Sequence, residues 1–187
     1  MAIKIYVDQG HNPRSPNTGA SANGLTEADI TYRVGQALAA LLRADPAYEV
    51  RVSRPTADTQ LGTTNAGSLR VRVDDANSWG ADAFISIHTN SADNPAANGT
   101  ESLVYAANTP AYRLGEDIAL GISEATGIRN RGVVLRTGLY VLRKTAMPAV
   151  LTEIGFISNP DEARLMNENP GLFARGIYNG IRRFYAR

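Results

Sequence analysis

The sequence has no cysteine and only two histidines among its 187 residues. The absence of cysteine excludes disulfide scaffolds, thiolate zinc sites, iron–sulfur clusters and cysteine nucleophiles. Any imidazole chemistry must therefore use His11 or His88. The formal net charge is only +1, which excludes the dense positive surface of a general nucleic-acid-binding protein. We therefore expect no nucleic-acid partner.

Long hydrophobic runs are also absent. No stretch approaches the roughly 18 apolar residues that a membrane span requires, so no membrane span is expected. The sequence opens on an alternating run, residues 3–7, that is typical of a first strand. It shows no signal peptide, which would have a basic start, an apolar run and a cleavage site. We expect any action outside the membrane to depend on another export route or on release by lysis.

What is present predicts an α/β fold. The chain is 43% hydrophobic and 20% charged, and its length suits one domain spanning residues 1–187. Strand-like and helix-like patterns alternate, which predicts a mostly parallel twisted sheet with helices on both faces. The strand beginning at Glu101 is expected at an edge of this sheet, and residues 139–142 are expected to be extended.

Four ionisable residues are predicted to meet at one edge of the sheet. His11 follows the first strand, His88 ends a buried strand and Glu153 ends another. The carboxyl ends of parallel strands open on the same edge, where ligands bind. Glu27 begins the helix after the first strand, and a right-handed crossover brings that helix start to the same crevice.

This set of residues matches the requirements of a catalytic metal site. Two histidines and one glutamate are a common set of protein ligands for catalytic zinc, and a second carboxylate can transfer protons. Taken singly, each histidine is more typical of a hydrogen-bonded structural residue, and Glu27 of a favourable charge at a helix start. The joint placement of all four residues favours the metal site.

Other polar residues are weaker candidates. Asp8 is a candidate to orient His11, although Asp after a strand is also typical of turns. Asn90 and Glu101 flank the loop after His88 and are candidates to face substrate, although such positions are more typical of solvated loop residues. A stretch around residues 129–144 has five basic residues and no acidic one. It is equally consistent with an anionic substrate and with a solvated loop.

Four motifs together resemble a known family. They are Asp8-Gln9-Gly10-His11, Gly24-Leu25-Thr26-Glu27, residues 84–90 and residues 152–159. In this order, with helices between them, they are similar to the zinc-dependent N-acetylmuramoyl-L-alanine amidases of the Amidase_3 type. The resemblance covers the chain from Ile3 to about Ile181. Gln9 and Thr89 stand where proline and alanine are frequent in the family, and ligation requires neither side chain.

The resemblance implies a function and a set of roles. It implies one Zn²⁺ ion held by His11, Glu27 and His88, with Glu153 as the catalytic glutamate. The reaction would be hydrolysis of the amide between N-acetylmuramic acid and the L-alanine of the peptidoglycan stem peptide. Arg143 or its basic neighbours would pair with stem-peptide carboxylates. The target implies action on the cell wall, outside the cytoplasm.

Alternatives remain open at this stage. A zinc peptidase that cuts within the stem peptide would use the same residues, and a cell-wall-binding module with an inactive site needs no turnover. A phage endolysin, a sporulation enzyme and a housekeeping autolysin are all compatible with the sequence. We expect a monomer, with any cell-wall-binding domain lying outside this chain.

Overall fold

The computed structural model describes residues 1–186, which form eight strands and six helices. In chain order these are β1 (Ile3–Gln9), β2 (Ser21–Ala22), β3 (Leu25–Thr26), α1 (Glu27–Arg43), β4 (Tyr48–Val52), α2 (Asn65–Trp79), β5 (Ala83–Asn90), β6 (Thr100–Val104), α3 (Pro110–Thr126), β7 (Asn130–Leu135), α4 (Tyr140–Lys144), β8 (Ala149–Phe156), α5 (Pro160–Glu168) and α6 (Pro170–Tyr185).

Six strands form the central sheet, in the order β4-β1-β5-β8-β6-β7. β4, β1, β5 and β8 are parallel, whereas β6 is antiparallel to β8 and β7 pairs parallel with β6. β2 and β3 form a small hairpin between β1 and α1. The predicted α/β fold with a mostly parallel sheet is confirmed.

Alternation along the strands gives the sheet two apolar faces. One side of β1 and β5 packs into the larger core with α1, α3 and α6, through residues such as Ile5 and Ile85. The opposite side, which includes Tyr6 and Phe84, packs into a smaller core with α2 and α4. Helices therefore cover both faces, as predicted. No helix among residues 1–186 is long and apolar enough to cross a membrane.

Two local predictions are wrong. β6 is not an edge strand, because β7 pairs with its outer side. The sequence of β7 contains Arg131 and Gly132 and alternates poorly, so it gives no clear signal for a strand. Residues 139–142 are not extended: the short helix α4 begins at Tyr140 and buries Val141 and Leu142 against the smaller core. A single helical turn is too short for its periodicity to be recognised.

Glycines let α3 and α6 approach each other closely. A Cβ atom added to Gly176 would lie 2.6 Å from the Cα of Ile122, and one added to Gly121 would lie 2.3 Å from the carbonyl oxygen of Gly176. Gly180 has the same relation to α3, with the Cα of Ile118 at 2.6 Å. These neighbours are backbone atoms, which cannot move aside as a flexible side chain can. The packing of α6 on α3 therefore requires glycine at these positions.

We predict that Gly176→Ala lowers the free energy of unfolding by about 2–3 kcal/mol, because the methyl group forces the two helices apart. Gly171→Ala is the matched control, since Gly171 also lies in α6 but has no atom within 4 Å of an added Cβ. Alanine there should cause no loss and a gain of up to about 1 kcal/mol from helix propensity. Chemical denaturation of both variants measures the difference, and equal stabilities would contradict the close approach.

Candidate metal centre

The carboxyl ends of β1, β5 and β8 bring together the residues that the sequence singled out. His88 on β5 and Glu153 on β8 are register partners, and Glu153 is also the partner of Glu101 on β6. These three side chains therefore stand side by side across three strands. His11 follows β1, and Glu27 is the first residue of α1. The predicted convergence at this edge is confirmed.

Three of these residues form a group that is compact enough to share one metal ion. Ligand atoms of His11, Glu27 and His88 all lie within 4.8 Å of one another. Nε2 of His11 is 3.1 Å from Oε2 of Glu27, and Nδ1 of His88 is 3.1 Å from Oε1. Ligand atoms at zinc-bond lengths in a tetrahedron are separated by about 3.3 Å, so this spacing suits one ion.

Backbone amides fix the carboxylate of Glu27. The N–H of Ala20 donates to Oε2 and the N–H of Thr89 donates to Oε1, each at 2.9 Å. Burial acts to raise the pKa of Glu27, but hydrogen bonds and charges from His11 and His88 outweigh it, so the pKa lies well below its usual range. Glu27 is therefore an ionised carboxylate whose two oxygens have fixed directions.

The loop that carries His11 has an unusual backbone and strong support. His11 has a φ of 68°, in the left-handed region that residues other than glycine rarely adopt. The guanidinium of Arg72, which is 1% exposed, donates to the carbonyl oxygens of Gln9 and His11, each at 2.6 Å. Arg72 also forms a buried ion pair with Asp8. Arg72 on α2 thus fixes the strained loop through its backbone carbonyl groups.

The predicted role of Asp8 as the residue that orients His11 is wrong. Asp8 accepts hydrogen bonds from Arg72 and from the hydroxyl of Ser86. Burial acts to raise the pKa of Asp8, but the charge of Arg72 and the hydrogen bond from Ser86 outweigh it, so the pKa lies below its usual range. The partner of Nδ1 of His11 is instead Oδ1 of Asn17, at 2.9 Å. Asp8 acts on His11 only through Arg72, because its position in β1 turns it toward α2.

The surroundings of the three ligands fit a bound metal ion. A Cβ added to Gly10 would lie 2.7 Å from Nε2 of His88, and one added to Gly19 would lie 2.7 Å from Oε2 of Glu27. Only glycine leaves room for both ligands at these positions. Two imidazole nitrogens and one carboxylate oxygen are a donor set typical of catalytic zinc, which leaves a coordination position open.

Glu153 lies beside this group without a partner of its own. Its Oε2 atom is buried and has no hydrogen-bond partner among residues 1–186. Burial, followed by the negative charges of Glu27 and Glu101, raises the pKa of Glu153 to about 8. A carboxyl oxygen that is buried without a hydrogen-bond partner is costly, so its presence points to a role in chemistry.

Asn90 and Glu101 form a second polar cluster next to Glu153. The amide of Asn90 donates to Oε1 of Glu101 at 3.1 Å, and Nε of Arg131 donates to Oε2 at 2.9 Å. The guanidinium of Arg131 also lies over the ring of Phe156. The basic stretch thus contributes one residue, Arg131, to this edge of the site. Arg143 lies exposed on α4 and is not brought to the three ligands by any described contact.

Sequence reasoning missed the wall of the cleft and two supporting residues. A pocket beside His11 and His88 is lined by Leu69, Leu151 and α4 residues such as Tyr140. The supporting residues are Asn17 and Arg72, both of which also line the pocket. The polar loop gave no signal for Asn17. A signal for Arg72 was present, because a cation among the buried residues of a helix must find a partner.

Comparisons with known proteins agree with this geometry. Residues 5–183 match the family Amidase_3, described as N-acetylmuramoyl-L-alanine amidase. The N-acetylmuramoyl-L-alanine amidase CwlM of Bacillus licheniformis is 37% identical over 191 residues, which cover 98% of this chain and 69% of that protein. A sporulation-specific N-acetylmuramoyl-L-alanine amidase of Bacillus subtilis (strain 168) is 35% identical, covering 96% of this chain and 67% of that protein.

A solved structure extends the likeness to three dimensions. The crystal structure of an N-acetylmuramoyl-L-alanine amidase from Clostridium difficile 630 superposes with a TM-score of 0.88 at 27% identity. The likeness covers 99% of this chain and 97% of that one. The match therefore includes the whole sheet and its surrounding helices. The chain belongs to the Amidase_3 family of N-acetylmuramoyl-L-alanine amidases.

Proposed function

We propose that this protein is a peptidoglycan hydrolase that cleaves the amide between N-acetylmuramic acid and the L-alanine of the stem peptide. His11, Glu27 and His88 would hold one zinc ion, and Glu153 would transfer protons. The observation that carries the proposal is the cluster of three ligand residues beside a carboxyl group on the next strand whose Oε2 atom is buried without a hydrogen-bond partner. Family membership supports the reaction and its substrate.

The roles of the residues follow from their positions. A zinc ion bound at this site would polarise the scissile carbonyl group of the substrate and lower the pKa of a bound water molecule. Glu27 keeps its charge for ligation because of its contacts with His11 and His88. The backbone amides of Ala20 and Thr89 fix the directions of its oxygens. His11 and His88 are both used as ligands, which leaves no histidine for acid–base work.

Glu153 is then the group that moves protons. Its carboxyl group accepts the proton of the attacking water and returns it to the departing nitrogen of L-alanine. Without a metal, burial and the charges of Glu27 and Glu101 raise the pKa of Glu153 to about 8, so its carboxyl group holds a proton at neutral pH. The charge of a bound cation offsets the repulsion by Glu27, so the pKa with metal bound is lower.

Residues 1–187 act as one catalytic domain and as a monomer, with any cell-wall-binding domain in a separate part of the protein. Asn90, Glu101 and Arg143 face the stem peptide, the first two from the polar cluster beside Glu153 and the last from the surface of α4. The substrate places the activity at the cell wall, outside the cytoplasm.

Digestion of purified sacculi tests the reaction. The products should be intact glycan strands and peptides with free L-alanine amino termini, identified by mass spectrometry, and a chelator should stop their release. Peptides cut at an internal bond would instead indicate a zinc peptidase. Binding to sacculi without release of any product would indicate an inactive wall-binding module.

We predict that Glu153→Gln lowers turnover by at least about three orders of magnitude, because an amide cannot accept the proton of the attacking water. The variant should retain its metal, since Glu153 is not a proposed ligand. Glu49→Gln on β4 is the control for loss of a strand carboxylate, because Glu49 is exposed and remote from the site. Near-normal release of peptides by Glu153→Gln would exclude the proposed role.

We predict that His11→Ala and His88→Ala each purify with less than a tenth of the metal content of the unaltered protein. Each change leaves two protein ligands, which are too few for a stable zinc site. Elemental analysis after dialysis gives the stoichiometry, and Glu153→Gln serves as the variant that should still hold one equivalent. Retention of full metal content by either histidine variant would contradict the assignment of ligands.

A further inference from the structure

The three proposed ligands are supported in different ways. Glu27 is held by two backbone amides, and His88 lies within β5, where the sheet fixes its backbone. His11 lies outside the sheet, in a loop with a left-handed backbone, so the sheet does not fix its ring. The ring needs support from a side chain, and the contacts of its second nitrogen identify that side chain.

We infer that Asn17, held in turn by Ser68, is the positioning residue that determines which ring nitrogen of His11 faces the metal. This inference rests on the proposed metal site. Oδ1 of Asn17 lies 2.9 Å from Nδ1 of His11, and Nδ2 of Asn17 donates to the hydroxyl oxygen of Ser68 at 3.1 Å. With Nδ2 donating to the hydroxyl group, the amide presents its oxygen to the imidazole.

The consequence concerns the tautomer of His11. An amide oxygen is only an acceptor, so Nδ1 of His11 must carry the proton. In the neutral ring that binds a metal, Nε2, which lies 3.1 Å from Oε2 of Glu27, then has a free lone pair for the ion in place of its proton. A histidine ligand usually donates its other N–H to a carboxylate, a backbone carbonyl or water. Here the acceptor is a neutral amide, which sets the tautomer without adding a negative charge.

The loop is built to keep Asn17 in place. Asn17 itself has a φ of 70°, and its carbonyl oxygen accepts the N–H of Asn12 at 2.7 Å. Ser68, on α2, is fully buried and one turn from Arg72, which binds the carbonyl oxygen of His11. α2 therefore holds the backbone of His11 through Arg72 and its ring through Ser68 and Asn17.

Metal affinity tests the inference independently of turnover. Asn17→Gly removes the amide and suits the positive φ, so the change adds no backbone strain. We expect it to weaken zinc binding about 10- to 100-fold, as loss of such a partner typically does. Asn17→Asp places a carboxylate oxygen in the same position and should bind zinc at least as tightly as the unaltered protein. Competition with a chromophoric chelator measures both affinities.

Asn108→Gly is the matched control. Asn108 also has a positive φ, of 57°, but lies between β6 and α3, away from the ligands. It should leave zinc affinity unchanged. Zinc affinity of Asn17→Gly equal to that of the unaltered protein would overturn the inference, as would equal losses in Asn17→Gly and Asn17→Asp. Failure of the unaltered protein to bind zinc would instead contradict the proposed metal site.

Nitrogen-15 NMR of the zinc-loaded protein gives a second readout that loop packing alone does not move. The chain has only two histidines, so their ring signals are readily assigned. The Nδ1 proton of His11 should exchange slowly in the unaltered protein and in Asn17→Asp, and rapidly in Asn17→Gly. The ring signals of His88 serve as the internal reference. A His11 ring protonated at Nε2, or an Nδ1 proton unaffected by Asn17→Gly, would overturn the inference.

Discussion

The burial of one ionised carboxylate, Glu27, is the constraint on which the rest of the site depends. Glu27 is 4% exposed, and an uncompensated charge in that position would be costly. Its four partners come from separate parts of the chain: Ala20 in the loop after β1, Thr89 at the end of β5, and the two histidines. Glu27 forms these contacts only when β1, β5 and α1 are correctly assembled. Folding and the construction of the ligand set are therefore the same event.

Buried arginines perform the corresponding task for the backbone around the site. Arg72 neutralises Asp8 and binds the carbonyl oxygens of Gln9 and His11, so one side chain both compensates a charge and fixes a strained loop. Arg54 is equally buried but binds the carbonyl oxygens of Ala28 and Ala57. Burial, followed by the charge of Arg72, lowers the pKa of Arg54 to about 10. The planar guanidinium, with its several donors, lets each arginine satisfy carbonyl groups that the sheet leaves unpaired.

The sequence was sufficient for the elements that repeat a pattern and insufficient for those that depend on one contact. Alternating apolar residues and the positions of His88 and Glu153 at strand ends predicted the sheet and its functional edge, because period and chain direction follow from local chemistry. The role of Asn17 could not be predicted, since its partner on α2 is 51 residues away in sequence. The error over Asp8 has the same origin. Alternation along β1 turns its side chain toward α2, where it forms an ion pair with Arg72.

The register of the sheet explains why the two sides of the cleft differ. His88, Glu153 and Glu101 occupy the same level on adjacent strands, and Arg131 follows on β7, so charged groups line one direction across the sheet. α4 packs over the face of the sheet that carries the smaller core, and its residues, such as Tyr140, give the cleft an apolar wall. A shift of one residue in the pairing of β8 would turn Glu153 toward the larger core and place Thr152 or Ile154 beside His88. The parallel pairing of β8 with β5 is thus what places Glu153, the proposed proton-transfer group, beside His88, and the antiparallel addition of β6 is what places Glu101 on its other side.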